Sequence, residues 1–293
     1  MSKFRSEASL GDRAFALLQE LLPQHFLSKN MHRLARSSRP GIRKAMIRST
    51  LRAYPEINMG EALEPDPYAY SSFNDFFTRA LRPGSRTVDS DAAVVASPVD
   101  GTLSQAGTVD RGQVIQAKGI AYSTSALLAD LDSPGRYMDG HFSCLYLAPY
   151  NYHRIHMPLD ARLIATRYVP GKLFSVSPAT TRAIPGLFTR NERVICEFET
   201  ALGHLAMVLV GAMFVGSIET VYAGEINPPS DREPGIRRLP EGIGTSFERG
   251  DELGRFNMGS TVIMLLGNRS VHLTPGMAPG TAVRLGQPLA RCS

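Results

Sequence analysis

The chain is 293 residues long, with 26 Gly, 20 Pro, three Cys and a formal net charge of +5. That length admits one large or two ordinary domains, and so many Gly and Pro favour short strands and turns over a helical bundle. Cys144, Cys196 and Cys292 are too few and too scattered for a disulfide framework or a zinc site, which implies a reducing compartment, and no apolar run follows the basic N-terminus to make a secretory signal.

The charge is uneven along the chain. Residues 1–52 hold eleven Lys/Arg against three acids, so they carry +8 and the remainder −3. Asp12 reads as the N-cap of a first helix in which Phe15, Leu17, Leu18, Leu21 and Leu22 recur at helical spacing until Pro23. A second helix from Ser28 gathers Met31, Leu34 and Ala35 among Lys29, Arg33 and Arg36. A third, after Pro40 and Gly41, sets Ile42, Met46, Ile47 and Leu51 beside Arg43, Lys44, Arg48 and Arg52 and stops before Pro55. Three basic amphipathic helices in a row predict peripheral attachment to an anionic membrane; the bland alternative is that their apolar faces pack on the core. No nucleic-acid module or basic-aromatic stripe is visible, which argues against nucleic acid as the partner. The longest nearly charge-free run, Leu205 to Ile218, falls short of the roughly 20 residues that a spanning helix needs.

Residues 55–68 read as a linker, and Phe73 to Pro83 as a short aromatic helix against the core. From about residue 92 the pattern turns to short strands at 92–96, 102–107, 113–117, 141–147, 163–169, 193–199, 205–215, 217–223, 262–266 and 281–290. The expected fold is therefore α+β: basic amphipathic helices, then a mainly antiparallel body, barrel-like or a strongly curved sandwich. Residues 1–68 form the helical membrane-associating part with its linker, and 69–293 the β-rich domain. Arg249 to Gly254 and Arg284 to Leu289 are faintly alike, as turns of biotinyl- and lipoyl-type sandwiches are.

Three places could carry chemistry. Gly259-Ser260 precedes a continuous apolar strand; it is either a bend at the strand start or a serine able to attack the peptide bond before it, since glycine leaves its carbonyl open. His153 and His156 stand three apart between Pro149 and Pro158, and imidazole suits proton transfer near neutrality. Asp100, in Ser97-Pro98-Val99-Asp100-Gly101, is first of all a turn residue, yet a Ser, a His and an Asp together are what base-assisted activation of a nucleophile requires.

Taken together, SPVDG, YNYHRIHMP, YVPGKLFSV, NERVICEF, VGAMFVGSIET and ELGRFNMGSTVI resemble, in one collinear order from about Phe73 to Leu289, the phosphatidylserine decarboxylases of the bacterial and mitochondrial type. The resemblance implies that Asp100 orients His156 and that His156 deprotonates Ser260. The Ser260 hydroxyl then attacks the Gly259 carbonyl, and an ester and its β-elimination leave chains 1–259 and 260–293. Residue 260 becomes a covalent pyruvoyl cofactor, and the 34-residue product stays bound as a heterodimer, with a homo-oligomer of heterodimers as a further assembly. The pyruvoyl ketone forms a Schiff base with the amine of phosphatidylserine and draws off the electrons left by departing carbon dioxide. His153 is the candidate for the substrate carboxylate or the protonation step, and Gly171, Lys172 and Phe174 are candidates for headgroup contacts. Met258 stands where the family usually has Leu, a volume-conserving change. The implied location is the cytoplasmic face of the membrane, with phosphatidylserine as substrate and no metal.

Two rival readings differ in class. His153, His156 and a carboxylate such as Asp100 could ligate zinc in a hydrolase, which leaves Ser260 unexplained. A non-enzymatic, membrane-binding β-module would account for the N-terminus and for none of the later motifs.

Overall fold

A computed structural model describes residues 7–129, 134–214, 217–226, 233, 235–257 and 260–293, with Pro134 and Ser260 given by their backbone alone. Among these residues the helices are α1 (Leu10–Leu21), α2 (Gln24–Ala35), α3 (Pro40–Ala53), α4 (Phe73–Phe77), α5 (Thr124–Leu128), α6 (Pro178–Ala183) and α7 (Leu187–Arg190). The strands are β1 (Val94–Ala96), β2 (Gly101–Thr108), β3 (Gln113–Ala117), β4 (Ile120–Ser123), β5 (His141–Leu147), β6 (Arg154–His156), β7 (Ala161–Val169), β8 (Arg193–Thr200), β9 (Gly203–Val210), β10 (Ile218–Thr220), β11 (Gly224–Ile226), β12 (Arg237–Leu239), β13 (Ser246–Phe247), β14 (Glu252–Phe256), β15 (Ser260–Leu266), β16 (Val271–Leu273), β17 (Ala282–Val283) and β18 (Pro288–Cys292).

A nine-stranded antiparallel sheet runs β12-β7-β8-β9-β15-β5-β2-β17, with β13 also on β7. Its central strand β15 is apolar on both faces. Val262, Met264 and Leu266 join a core shared with Ile155, Leu253 and Phe256 of the smaller sheet β11-β10-β14-β6 and with Leu289 and Ala290 of the three-stranded sheet β1-β18-β16. Ile263 and Leu265 point into a second core under α5, α7 and the β3-β4 hairpin. The fold is α+β and sandwich-like, without a closed barrel among the described residues, because the small sheets cover one face of the large one.

The small sheets contain a local two-fold repeat. β1 pairs with β18 and β6 with β14 in matching register: Val94 opposite Arg291 corresponds to Arg154 opposite Arg255, and both pairs have a bulge at the same step. Beyond the bulge, Ser97 N–H bonds the Gln287 carbonyl and Gly286 N–H the Ser97 carbonyl, as Met157 does with Asp251 and Gly250. Each copy also bonds the other, Ala96 N–H to the Pro158 carbonyl and His156 N–H to the Pro98 carbonyl. Gly250 and Gly286 occupy the same place at φ of +91° and +84°, which favours glycine. The faint likeness in the sequence is thus real but shifted by one position: Arg249 matches Leu285.

The N-terminal helices differ from expectation in two respects. Ser9, not Asp12, caps α1; Asp12 lies at the third helical position and completes a capping box, Asp12 N to Ser9 Oγ at 3.1 Å and Ser9 N to Asp12 Oδ2 at 3.0 Å. The second helix starts at Gln24, directly after Pro23. More telling is which side faces inward. Gln19 (1% exposed), Gln24 and Ser28 are buried, and their side chains bond Ser175 N, Leu173 N and Phe214 N. Leu17, Leu18, Leu21 and Phe26 face outward, Leu21 at 77% exposure. α3 does send Ile47 inward, against Phe73, Phe76 and Phe77.

Candidate active site

Antiparallel pairing brings the sequence candidates to one end of the large sheet. There β15 begins with Ser260 opposite Leu147, the last residue of β5, and Thr261 opposite Val210, the last of β9. On the β5 side, Gly101 opens β2, and a Cβ on it would lie 2.5 Å from the Tyr146 carbonyl oxygen, so only glycine lets the Asp100 turn come this close. Asp100 therefore sits about two strand spacings, roughly 10 Å, from the Ser260 backbone. On the β9 side, Gly211 N–H bonds the Glu192 carbonyl and Lys172 N–H the Arg190 carbonyl, which sets the Gly171–Phe174 turn at the same end. Phe174 is fully buried, with the Arg190 guanidinium 4.8 Å from its ring centre, and Gly171 is packed against the backbone of Arg190 to Glu192.

Met258 and Gly259 lie outside the described residues, as does the Ser260 side chain. What precedes them is firmly held. Phe256 N–H bonds the His153 carbonyl, and Asn257 N–H the Ser217 carbonyl. The Asn257 amide accepts from Asn74 Nδ2 at 3.0 Å and donates to Ser217 Oγ at 2.8 Å. Ser217 donates in turn to Glu225, which also receives His32 at 2.8 Å and Arg36 at 3.0 Å from α2. Burial would raise the Glu225 carboxyl, but the bonds from His32, Ser217 and Arg36 outweigh it and the pKa falls. A continuous polar chain thus runs from α2 to the residue two places before Gly259.

His153 is fully buried, its ring centre 4.0 Å from that of Phe77. Its Nδ1 lies 2.8 Å from the Asn151 carbonyl, and since a carbonyl can only accept, Nδ1 carries the proton and Nε2 the lone pair. That Nε2 is buried without a hydrogen-bond partner. Burial, then the Arg79 charge, pushes the pKa down to about 3, so the ring is neutral at pH 7. His156 is a similar tautomer: Nδ1 donates to the Gly250 carbonyl at 2.7 Å, while Nε2 accepts from the Tyr152 hydroxyl at 3.0 Å under a stacked ring. Its pKa is lowered, chiefly by burial.

The expected direct contact between Asp100 and His156 is not among their hydrogen bonds. Asp100 accepts from Arg86 Nε at 2.9 Å, Arg86 Nη2 at 2.5 Å and Leu285 N at 2.8 Å. It acts on His156 through space, its charge working against the fall caused by burial. Arg86 is held protonated first of all by its bonds to Asp100, and it also pairs with Glu61 at 2.8 Å. Arg86, Asn257 and Arg79 have no sequence signal that ties them to the His pair and come near it through the fold, whereas Tyr152 lies beside His153 in YNYHRIHMP and only its bond to His156 needs the structure. Among the described residues no three His, Cys, Asp or Glu side chains are grouped so as to hold a metal ion.

The family model described as phosphatidylserine decarboxylase matches residues 73–291, and one described as PSD matches residues 14–55. The phosphatidylserine decarboxylase proenzyme of Methylibium petroleiphilum is 48% identical over 292 residues, 96% of this chain and 98% of its own. That of Acidovorax ebreus is 48% identical over 286 residues (97% and 99%), and that of Hahella chejuensis 45% over 284 residues (97% and 95%). The chain belongs to the phosphatidylserine decarboxylase family.

Proposed function

We propose that this protein cuts itself between Gly259 and Ser260 and then decarboxylates phosphatidylserine to phosphatidylethanolamine. Beyond family membership, the observation that supports the reading is that the His153 carbonyl receives Phe256 N–H on the strand leading to Gly259, while His156 N–H bonds the Pro98 carbonyl of the Asp100 turn, which opens β2 two strands from Ser260.

In this reading His156 Nε2 takes the Ser260 hydroxyl proton, which requires the Tyr152 hydroxyl to leave that nitrogen. The oxygen attacks the Gly259 carbonyl carbon, and the peptide nitrogen leaves it, so the amide becomes an ester. β-Elimination frees the Gly259 carboxylate and leaves dehydroalanine at residue 260; its imine tautomer takes up water and loses ammonia to give a pyruvoyl group. Once present, that group supplies an electron sink for loss of carbon dioxide. The surroundings offer a donor to a new carbonyl there: the Thr261 hydroxyl is buried without a hydrogen-bond partner. The unpaired His153 Nε2 would take up the proton that replaces the carboxylate once a negative charge of the substrate beside it raises its pKa.

Retention of chain 260–293 after cutting follows from pairing. β15 is flanked by β5 and β9, β17 pairs with β2, and β18 with β1, all on the larger chain. Five buried apolar side chains from Val262 to Leu266 are worth on the order of 10 kcal/mol. The outward leucines of α1, with exposed Arg13, Arg33, Lys44, Arg48 and Arg52, suit peripheral attachment at an anionic leaflet on the cytoplasmic side. No described helix is long and apolar enough to cross a membrane.

Intact mass analysis of the purified protein and carbon dioxide release from phosphatidylserine vesicles test the reading. Two chains, the smaller beginning with a carbonyl group, and an uncut Ser260→Ala protein are expected. An active enzyme consisting of one uncut chain would overturn the pyruvoyl route, and a cut but inactive one the decarboxylase.

A further inference from the structure

Arg79 follows α4 and is 4% exposed, yet nothing described neutralises it. Its Nε is buried without a partner, the guanidinium forms no ion pair or side-chain hydrogen bond among the described residues, and the Phe76 ring lies 5.7 Å from it. Burial pulls its pKa down, against the field of Tyr70 and Asp100. A cation left in this condition is unfavourable unless something negative completes it.

The guanidinium lines a cavity of about 260 Å³ with Asp100, Asn151 and Tyr152. The wall's other two guanidinium groups are matched, Arg86 by Asp100 and Glu61, and Arg284 by Glu61 at 3.3 Å. Glu56, also in the wall, is exposed and makes no ion pair with Arg79. Arg79 is therefore the unpaired cation of this lining. It is close to the proposed chemistry as well, since Arg154 Nε bonds the Thr78 carbonyl at 2.9 Å and Phe77 packs on His153. The cavity is of headgroup size and too small for acyl chains, for which ligand pockets run larger.

We propose that Arg79 receives the phosphodiester of the aminophospholipid headgroup, its planar fork meeting the non-bridging oxygens. The inference rests on the decarboxylase reading. The carboxylate is the less suitable anion, because a buried ion pair stabilises the charge that must vanish as carbon dioxide leaves. The phosphodiester keeps its charge throughout, so an arginine there holds substrate and transition state alike and adds affinity.

The test uses the self-processed protein with Arg79→Met and Arg79→Lys, short-chain phosphatidylserine as substrate, and glycerophosphoethanolamine, which has the phosphodiester and no carboxylate, as competitor. In the processed fraction of Arg79→Met, KM and the inhibition constant should rise together by roughly 10- to 100-fold while kcat changes less, with Arg79→Lys in between. An inhibition constant that stays put while KM rises would assign Arg79 to the carboxylate and overturn the proposal, as would no change in either. Failure of both variants to cut would also overturn it, making Arg79 a residue of the cleavage step. If the wild-type protein releases no carbon dioxide the decarboxylase reading fails separately, and calorimetric binding of glycerophosphoethanolamine to wild type and Arg79→Met still decides the anion site.

Discussion

The two copies of the repeat, Val94 to Asp100 with Leu285 to Arg291 and Arg154 to Asp160 with Arg249 to Arg255, form an internal control. Both end in an aspartate whose Oδ1 accepts the N–H just before the turn glycine, Asp100 from Leu285 at 2.8 Å and Asp160 from Arg249 at 2.7 Å. That shared bond is architecture. The differences mark the site: His156 stands where the first copy has Ala96, and Asp100 is buried against Arg86 where Asp160 is exposed. One scaffold thus carries a turn-holding carboxylate twice and a buried imidazole, the proposed proton carrier, once.

The largest expected effect comes from making the second copy resemble the first. His156→Ala should fold, losing the bond to Gly250 at a cost of about 1 kcal/mol, and should slow cutting by roughly 10² to 10⁴-fold. Intact mass against time measures it; unchanged cutting would reduce His156 to another architectural residue. Next in size, Asp100→Ala leaves Arg86 paired with Glu61 alone and should cost about 1.5–3 kcal/mol in urea unfolding. Asp160→Ala removes a single bond at the surface and should cost about 0.5–1.5 kcal/mol. Equal costs would mean that Arg86 adds nothing and that Asp100 is a turn residue like its counterpart.

These contrasts also separate what the sequence could express from what it could not. Apolar β15, the aromatic α4 and the His pair stand out because each is written in a short contiguous pattern. The directions of α1 and α2 do not: periodicity finds the leucine face, but only the backbone N–H donors of Leu173, Ser175 and Phe214 determine that Gln19, Gln24 and Ser28 turn inward. Asp100 was recognised by its turn, whereas Arg86 and Arg79 have no local signature and acquire meaning through burial alone. The repeat escaped because its halves share hydrogen bonds and register while their side chains have diverged, so that a six-residue comparison settles one position out of step.

Acid stability should divide the copies next. His153 lies where the first copy has Ala93, and its folded pKa of about 3 is below its usual 6.5. Above pH 6.5 neither state binds the proton; as the pH falls toward 3 the unfolded chain binds it first, so stability drops by up to about 1.4 kcal/mol per pH unit for this group. Unfolding free energies at pH 7 and at about pH 5 should therefore converge in His153→Ala relative to wild type, though that variant is less stable at pH 7. An unaltered pH slope would show that the imidazole is not held neutral.

The smallest effect belongs to the position that the repeat pairs most plainly. Arg249 matches Leu285, and its guanidinium bonds the carbonyls of Asp89 at 2.8 Å and Asp91 at 2.6 Å, outside the site. Arg249→Leu keeps the backbone N–H that Asp160 accepts, so it should cost no more than about 1.5 kcal/mol and leave cutting unchanged. A slowed cut would mean that the Gly250 carbonyl, which holds His156 Nδ1, moves with its neighbour's side chain. In that case the turn is part of the proton-transfer machinery, and the boundary between the repeated architecture and the site lies one residue further out than the comparison places it.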